Sequence, residues 1–318
     1  MNFEQSWRPS AEIEVLKHRS AIITKIRDFF VQRHYLEVET PIMARYGVTD
    51  VYLSNIQAFF RKEAYQLQTS PEYHMKRLLA AGSGPIFQLA RVFRDDELGR
   101  WHNPEFTLLE WYQLDIDHHE LMDEMDLFLQ TILKSEPLIR KTYEQAFIES
   151  CSIDPFTASI EQLKSVLKKY ELDKVLPAEE MDIDQYLFLL MSHVVEPFLA
   201  YEGAPVAVYD FPESQAALAQ VHKGVAHRFE VYFKGVELAN GFHELTDVQA
   251  QANRFARDQK SRIEKGLLEV DADRYLLDAL EFGMPSCSGV ALGIDRLLAL
   301  ALNKDSIKDV ISFDFSRA

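Results

Sequence analysis

The stretch VFRDDELGRWHNPEFTLLEWYQ, residues 92–113, places a crowded group of charged side chains between two apolar runs. The runs PIFQLARVF (85–93) and EFTLLEWYQLD (105–115) have the length and apolar composition of buried strands. We therefore predict an antiparallel pair of strands joined by a charged loop. Glu110 lies in the middle of the second run, where a carboxylate is costly to bury unless it meets solvent, a protein cation or a ligand cation.

Side chains alternate between the two faces of a strand, so Glu110 shares one face with Phe106, Leu108 and Tyr112. Arg94 stands at the mouth of the loop, where a guanidinium can bind a phosphate through two parallel donors. Phe106 offers a flat ring on which a base can stack. The pair of strands therefore has the parts of a nucleotide site. A charged surface hairpin, with its arginines and aspartates paired to each other, is the alternative.

A second hairpin is predicted in RFEVYFKGVELANGF, residues 228–242, with Lys234-Gly235 as a two-residue turn. That turn places Glu230 opposite Ala239 and brings Glu230 and Glu237 together diagonally on one face. Two carboxylates at this spacing repel each other unless a cation lies between them, and a divalent cation bound by carboxylates and phosphates fits this need. A pair of exposed edge carboxylates is the alternative interpretation.

The third element is CSGVALGIDRLLALAL, residues 287–302, which reads as a strand running into a helix. Gly289 and Gly293 permit close backbone approach, and Arg296 falls in the first turn of the helix, where anions are favoured. The lysine and hydroxyl pattern of a P-loop is absent. Glycines that serve only packing are the alternative.

The rest of the chain supplies helices and strands around these elements. Ser10 is predicted to cap a helix that runs to about residue 33, and YLEVETPIM (35–43) is predicted as a strand. Helices are also predicted for 70–82, 118–134, most of 142–200, 246–266 and 271–282, and a strand for 204–212. Strands therefore dominate 85–115 and 205–245, which predicts an α+β fold with a mainly antiparallel β-sheet flanked by helices.

Composition narrows the class of function. The chain has 318 residues and a net charge of −16, which argues against a general polyanion binder. Two cysteines are too few for a disulfide framework, so a cytoplasmic protein is predicted. No apolar run reaches the ~18 residues of a membrane span, and the N-terminus lacks the pattern of a secretory signal. His102 and His243 have no serine or cysteine partner in a nucleophile elbow.

Three ordered segments resemble the motifs of one enzyme family. The helix running into YLEVETPIM is similar to motif 1 of the class II aminoacyl-tRNA synthetases, FRDDELGRWHNPEFTLLEWY to motif 2 and GVALGIDRL to motif 3. TSPEYHMKRLL and VELANGFHELTD resemble the lysyl branch in particular. The resemblance covers essentially the whole chain. It implies one catalytic domain over residues 1–318, with a helical insertion at about 117–200 and without an anticodon-binding domain.

The resemblance also implies roles for single residues. Arg94 and Arg296 would be catalytic and would hold the α- and γ-phosphates of ATP, and Glu230 and Glu237 would bind Mg²⁺. The other implied ATP-site residues are Asp95, Asp96, His102, Asn103, Phe106, Glu237, Leu238 and Gly293. The amino acid would be surrounded by Ser70, Pro71, Glu72, Glu110, Tyr112, Asn240, Glu244 and Ala291. Asp96 replaces the glutamate usual in motif 2, and Ala291 replaces the glycine usual in lysyl enzymes.

A lysyl-type catalytic domain without an anticodon reader resembles a paralogue family, the elongation factor P β-lysine ligases. That resemblance implies activation of (R)-β-lysine with ATP and transfer of the β-lysyl group to a lysine ε-amine of elongation factor P. It also implies a homodimer built through motif 1, without tRNA and without a membrane. The alternatives are a minimal enzyme that charges tRNA, an amide-forming enzyme such as ammonia-dependent asparagine synthetase, and a non-catalytic sensor of lysine and nucleotide.

Overall fold

The structure is a computed structural model that describes residues 7–95, 98–201 and 203–318. Asp96, one of the residues predicted for the ATP site, lies outside the described residues. The chain divides into two compact units. Unit 1 comprises residues 1–117 and 244–318, and unit 2 comprises residues 118–243.

The strands and helices follow one another in groups of like elements along the chain. The strands are β1 (Leu36–Glu37), β2 (Met43–Ala44), β3 (Gln57–Phe60), β4 (Glu63–Leu67), β5 (Ile86–Phe93), β6 (Glu105–Leu114), β7 (Ile139–Thr142), β8 (Val206–Pro212), β9 (Val221–His222), β10 (Val225–Phe233), β11 (Val236–His243) and β12 (Cys287–Gly293). The helices are α1 (Ile13–Val31), α2 (Glu72–Ala80), α3 (His118–Leu133), α4 (Tyr143–Cys151), α5 (Ile160–Lys169), α6 (Ile183–Leu190), α7 (Glu196–Phe198), α8 (Val248–Glu264), α9 (Arg274–Gly283) and α10 (Ile294–Ala301).

Unit 1 contains strands in the order β1-β5-β6-β12. β1 runs parallel to β5, whereas β5 with β6 and β6 with β12 are antiparallel. Helix α1 packs on these strands through Phe30, whose ring centroid lies 4.7 Å from that of Phe87 and 5.2 Å from that of Trp111. β2, β4 and β3 form a separate antiparallel sheet. The long central strands β5 and β6 are therefore fixed by burial on the helix side.

Unit 2 contains strands in the order β11-β10-β8-β7, with β9 beside β10. These strands are antiparallel except for the pair β7 and β8. Tyr143 on α4 packs on Phe147 and on Phe211 of β8, with ring centroids 4.6 Å and 4.8 Å apart. Helices α4 and α5 each begin with a reciprocal capping box, which satisfies amide groups that a helix start leaves without partners. The helices of unit 2 thus cover the sheet with an aromatic and aliphatic core.

Most elements predicted from periodicity are present. The predicted pair of long strands is β5 and β6, the predicted hairpin at 228–242 is β10 and β11, and the predicted strand-to-helix element is β12 and α10. The amphipathic pattern after residue 117 is helix α3. The prediction of an α+β fold with mainly antiparallel strands flanked by helices is confirmed. Among the described residues, no helix is both long and apolar enough to cross a membrane.

Two predictions near the N-terminus are wrong. Helix α1 begins at Ile13, with Glu12 in the cap position, because Ser10 is engaged elsewhere. The Ser10 hydroxyl accepts a hydrogen bond from the backbone N–H of Asp314 at 2.9 Å. The segment predicted as one strand at 35–43 forms only the short strands β1 and β2 at its ends. Pro41 between them cannot donate a backbone hydrogen bond, which disfavours a continuous ladder.

Candidate functional site

Strand β6 brings a buried carboxylate into unit 1. Glu110 is 2% exposed, and its Oε1 accepts a hydrogen bond from the Tyr112 hydroxyl at 2.6 Å. Its Oε2 accepts from the Ser70 hydroxyl at 2.7 Å. Ser70 lies just before α2, and its hydroxyl also accepts from the backbone N–H of Glu72 at 3.0 Å. The start of α2 and the middle of β6 are therefore joined through one serine. Ser70 and Glu72 also line a cavity.

Lys76 supplies the cation that these carboxylates need. Its Nζ lies 2.7 Å from Glu72 Oε1 and 2.6 Å from Glu244 Oε2, and both Lys76 and Glu244 are almost fully buried. Glu72 and Lys76 are four residues apart on α2 and so share a helix face. We call Glu72, Lys76, Glu110 and Glu244 the acidic cluster. It sets three carboxylates against one ammonium, so its formal charge is negative.

Burial and mutual repulsion control ionisation in the acidic cluster. Burial raises the pKa of Glu110 to about 7, and the nearby Glu72 carboxylate adds to the increase. Burial also raises the pKa of Glu244 to about 8, although the Lys76 ammonium opposes it. Burial would lower the pKa of Lys76, but the Glu244 and Glu72 carboxylates outweigh it and the pKa is raised. One lysine therefore does not balance the cluster at neutral pH.

The acidic cluster makes stability depend on pH. The folded-state pKa values of Glu110 and Glu244 lie above the value of about 4.3 for a glutamate in an unfolded chain. Their contribution is fully present below that value and is lost as pH rises through 7 and 8. We expect the free energy of unfolding in urea to fall over this window. Glu244→Gln should flatten the fall, and the exposed Glu14→Gln should not; parallel curves for wild type and Glu244→Gln would contradict this.

Gly289 on β12 leaves room for the Tyr112 ring and for the Glu244 carboxylate of the acidic cluster. Gly289 lies opposite Tyr112 in the antiparallel pair of β12 and β6. A Cβ atom at Gly289 would lie 2.2 Å from Cε1 of Tyr112 and 2.8 Å from Oε1 of Glu244. Distances this short are impossible between non-bonded atoms, so the glycine is required by the Tyr112 ring. Gly293 differs, since the nearest atom to a Cβ there would be Cδ of Arg296 at 3.6 Å.

Gly289→Ala is expected to destabilise unit 1, because the Tyr112 ring must leave its place beside Glu110. Overpacking of this kind typically costs about 1–3 kcal/mol in the free energy of unfolding. Gly293→Ala on the same strand is a control for space, because a Cβ there has room and φ is −73°, and its own loss as the cap of α10 should stay at or below about 1 kcal/mol. Urea unfolding of both variants measures the difference. Equal losses in the two variants would show that the contact with Tyr112 is not what requires glycine.

Two arginines with aromatic neighbours lie where β5 ends and where β12 runs into α10. The guanidinium carbon of Arg94 lies 5.1 Å from the ring centroid of Phe106. Arg296, in the first turn of α10, lies with its Nη2 2.6 Å from Nε2 of His102, and its Nε donates to the backbone oxygen of Trp101 at 3.2 Å. Because arginine can only donate, Nε2 of His102 must be the acceptor in this pair.

A partly buried ion pair between Arg19 and Asp295 links α1 to α10 in unit 1. Nη1 of Arg19 on α1 donates to Oδ1 of Asp295 at 2.6 Å, and its Nη2 donates to Oγ1 of Thr107 at 3.3 Å. Oδ2 of Asp295 accepts from the backbone N–H of Thr107 at 2.9 Å. Asp295 immediately precedes Arg296 on α10, and Thr107 follows Phe106 on β6. The network therefore fixes the backbone on which Arg296 and Phe106 stand.

Two further residues predicted for the ATP site have different surroundings. Asn103 is buried, its amide donates to the backbone oxygen of Glu105 at 2.7 Å, and its Oδ1 accepts from the backbone N–H of Phe315 at 3.0 Å. It therefore positions the loop before β6. Asp95 has an exposed side chain, and its backbone N–H donates to the oxygen of Ser54 at 3.1 Å.

Three further predicted residues lie at helix ends or in a strand beside the acidic cluster. Pro71 is the cap residue of α2 and Gly293 is the cap residue of α10. Ala291 lies directly opposite Glu110 across the pair of β12 and β6. Side chains of directly opposed residues point to the same face, so the Ala291 methyl lies beside the Glu110 side chain.

Unit 2 contains the predicted carboxylate pair, together with a protein cation. Glu230 on β10 is buried and contacts both the Arg228 guanidinium and the Tyr232 hydroxyl through hydrogen bonds. Nε of Arg228 also donates to Oδ1 of Asn240 at 3.2 Å, and its Nη1 donates to the backbone oxygen of Gln215 at 2.7 Å. Arg228 is therefore a cation placed on the face that carries Glu230.

The predicted register of this hairpin is correct next to the turn, where Tyr232 pairs with Glu237, and is wrong by one residue farther along. Glu230 lies opposite Asn240, and not opposite Ala239, because a β-bulge adds Leu238 to β11. The extra residue puts Glu237 and Asn240 on the same face as Glu230, whereas a regular ladder would turn Asn240 to the other face. Burial raises the pKa of Glu230, and the Glu237 carboxylate raises it further although Arg228 opposes both.

Comparison with known proteins identifies the family of this chain. A family model described as class II tRNA synthetases (D, K and N) matches residues 5–317. The chain belongs to this family. A relative from Vibrio atlanticus is 50% identical over 322 residues, 98% of this chain and 99% of its own, and is named elongation factor P--(R)-beta-lysine ligase. Relatives with the same name in Pasteurella multocida and Salmonella arizonae are 50% and 49% identical, over 99% and 100% of this chain and 100% of their own.

Two protein cations, Lys76 and Arg228, did not figure in the sequence predictions. Lys76 was part of a quoted motif, and the signal that could have revealed it is its spacing of four from Glu72 on a predicted helix. Arg228 shares a strand face with Glu230, two residues later, which is an equally local signal. Both cations lie next to carboxylates for which the sequence suggested only a ligand or a metal as partner.

Proposed function

We propose that the protein is an ATP-dependent ligase that activates (R)-β-lysine as an adenylate and transfers the β-lysyl group to a lysine ε-amine of elongation factor P. The family membership supports ATP use, and the names of the full-length relatives support both substrates. The observation that carries the proposal is the acidic cluster. Its excess of buried carboxylates over ammonium groups suits a substrate with more than one cationic group.

The cluster matches the charge of a diamino acid. (R)-β-lysine carries two ammonium groups at neutral pH, and three carboxylates share only Lys76 as protein cation among the described residues of the cluster. The raised pKa values of Glu110 and Glu244 follow from that shortage, since burial disfavours their ionised forms. An incoming ammonium would favour ionisation of both groups. Tyr112, hydrogen-bonded to Glu110, and Ala291, opposite it, would shape the space around the substrate.

The first step needs no general base. The carboxylate of an amino acid is ionised at pH 7 because its pKa lies near about 3.5, so it can attack the α-phosphate directly. The bond from this phosphorus to the bridging oxygen breaks, and pyrophosphate leaves with the electron pair. Arg94 would hold the α-phosphate beside the stacking ring of Phe106, and Arg296 the γ-phosphate at the start of α10. Catalysis is then orientation and stabilisation of developing negative charge.

Glu230 and Glu237 are proposed to bind Mg²⁺. Their carboxylate oxygens are ligands that this ion prefers, and Glu230, Glu237 and Arg228 together leave one net negative charge. Mg²⁺ would supply neutralisation of phosphate charge. Asn240, held by Arg228, and the bulge residue Leu238 would keep the backbone of β11 in place. Arg228 itself orients Glu230 through its guanidinium.

The second step forms an amide. The neutral ε-amine of a lysine on elongation factor P attacks the acyl carbon of the adenylate, and AMP leaves with the electron pair. The attacking amine has an ordinary pKa of about 10.4 and must lose a proton first. We also propose a cytoplasmic homodimer that acts without tRNA, as the elongation factor P ligase resemblance implies.

The test offers two acceptors in separate tubes. Purified protein is incubated with ATP, Mg²⁺ and labelled (R)-β-lysine, with unmodified elongation factor P in one tube and lysine tRNA in the other. We expect label on the protein and none on the tRNA. Label on the tRNA would make the protein a minimal synthetase. If folded protein releases no pyrophosphate with (R)-β-lysine, nor with α-lysine in its place, the ligase proposal is overturned in favour of a sensor.

A further inference from the structure

Among the residues that the structure describes, one group of histidines in unit 2 is arranged to hold a metal ion. His118, His227 and His243 each offer a ring nitrogen, and these three atoms all lie within 4.8 Å of one another. They come from the first residue of α3, from β10 and from the last residue of β11. None of them is involved in the proposed adenylation chemistry, so the cluster stands on its own observations.

His118 is oriented as a metal ligand is. Its side chain is almost fully buried, and its Nε2 lies 3.4 Å from Oδ1 of Asp210. Its Nδ1 is buried and has no hydrogen-bond partner in the described part of the chain. Histidine ligands usually bind the metal through one nitrogen and donate from the other to a carboxylate or carbonyl, which fixes the tautomer. Asp210 and His118 already form this arrangement, with Nδ1 left to bind.

His227 lies between the other two rings. Its ring centroid is 4.8 Å from that of His118 and 5.9 Å from that of His243, with interplanar angles of 15° and 8°. Its Nδ1 is likewise buried and without a hydrogen-bond partner among the described residues. His118 and His227 therefore each present a buried ring nitrogen that no described residue occupies.

We propose that His118, His227 and His243 bind one Zn²⁺ ion, with Asp210 positioning His118. Tetrahedral zinc with bonds of about 2.0–2.1 Å to nitrogen needs ligand atoms about 3.3 Å apart, so binding would draw the three nitrogens together and turn the nearly parallel rings towards the ion. Three imidazoles suit zinc and related first-row ions, and they leave a fourth position for water. A bound ion would join the start of α3 to both strands of the hairpin.

Metal titration of the intact protein tests this site. Protein freed of metal with a chelator is titrated with Zn²⁺ by calorimetry and with Co²⁺ by visible absorption, which reports tetrahedral coordination. We expect one ion per chain, binding weakened at least about tenfold in His227→Gln and in His118→Gln, and a higher melting temperature with Zn²⁺. The exposed His193→Gln in the same unit is the control and should bind as wild type does.

Asp210→Asn separates positioning from ligation. Asp210 has a positive φ of 62°, a conformation that asparagine also tolerates, so the variant should fold. It is expected to weaken Zn²⁺ binding about tenfold or more and to leave the Co²⁺ spectrum unchanged in shape. Wild-type protein that binds no Zn²⁺, or binds it equally well after His227→Gln, would overturn the proposal. Because His227 is only partly buried, that variant remains a fair test even if His118→Gln fails to fold.

Discussion

Replacement of Arg296 by alanine is expected to reduce pyrophosphate release about 10²–10³-fold, as the loss of one preorganised charge donor typically does. Arg296 stands in the first turn of α10, where the helix end also favours anions. Its guanidinium is held by His102 and by the backbone of Trp101, so it is already aimed before a nucleotide arrives. The measurement is the rate of pyrophosphate release with saturating ATP and (R)-β-lysine.

Two further variants make this result specific. Arg274→Ala removes an exposed arginine from the first turn of another helix, α9, and should leave the rate unchanged. Arg296→Lys keeps the charge and loses the forked donor, so we expect an intermediate rate. Urea unfolding should show that Arg296→Ala remains folded, because the Arg19–Asp295 pair still anchors α10. A folded Arg296→Ala variant with a normal rate would contradict the role of this arginine.

Replacement of Lys76 by methionine is expected to be the most destabilising single change described here. It leaves the buried Glu244 and the partly buried Glu72 without their cation, and breaking a buried pair in this way costs about 3–5 kcal/mol. The loss should grow with pH, because the carboxyl group of Glu244 has a pKa raised to about 8 and can be protonated below it. Urea unfolding at pH 6, below that value, and at pH 9, above it, measures the change.

The control for Lys76 is a lysine whose partner is in solvent. Lys17 pairs with Glu14 at 3.0 Å, but both side chains are well exposed, so Lys17→Met should change stability little. A double variant, Lys76→Met with Glu244→Gln, should regain part of the lost free energy, because the buried charge is removed with its partner. If the double variant is as unstable as the sum of the two single variants, the ion pair is not the cause.

Local pattern was sufficient for the elements that carry the candidate site. The alternation in residues 105–115 placed Glu110 and Tyr112 on one face of β6, and both side chains converge there by hydrogen bonding. The strand-to-helix pattern placed Arg296 in the first turn of α10. These features depend on the periods of single strands and helices and on burial of their apolar faces, which the sequence expresses directly.

Two kinds of feature were not predictable in this way: contacts between residues far apart in the sequence, and a turn that lacks its usual residues. Ser10 looks like a helix cap, but its hydroxyl is used by Asp314 at the opposite end of the chain. The hairpin of β3 and β4 turns at Arg61 and Lys62, both with positive φ, where glycine or asparagine is the usual signal. Lys76 meets Glu244 across 168 positions of sequence, a contact that no local spacing announces.

The bulge at Leu238 has a consequence for how this sequence can diverge. Removal of Leu238 would leave an even ladder in which Val231 still pairs with Ala239 and Glu230 with Asn240, so Asn240 and the residues after it in β11 would keep their faces. Asn240 would stay beside Arg228, and His243 would stay beside its companion rings. Homologues that lack one residue at the bulge should therefore keep both groups of side chains, and an alignment that places a single gap here agrees with the fold.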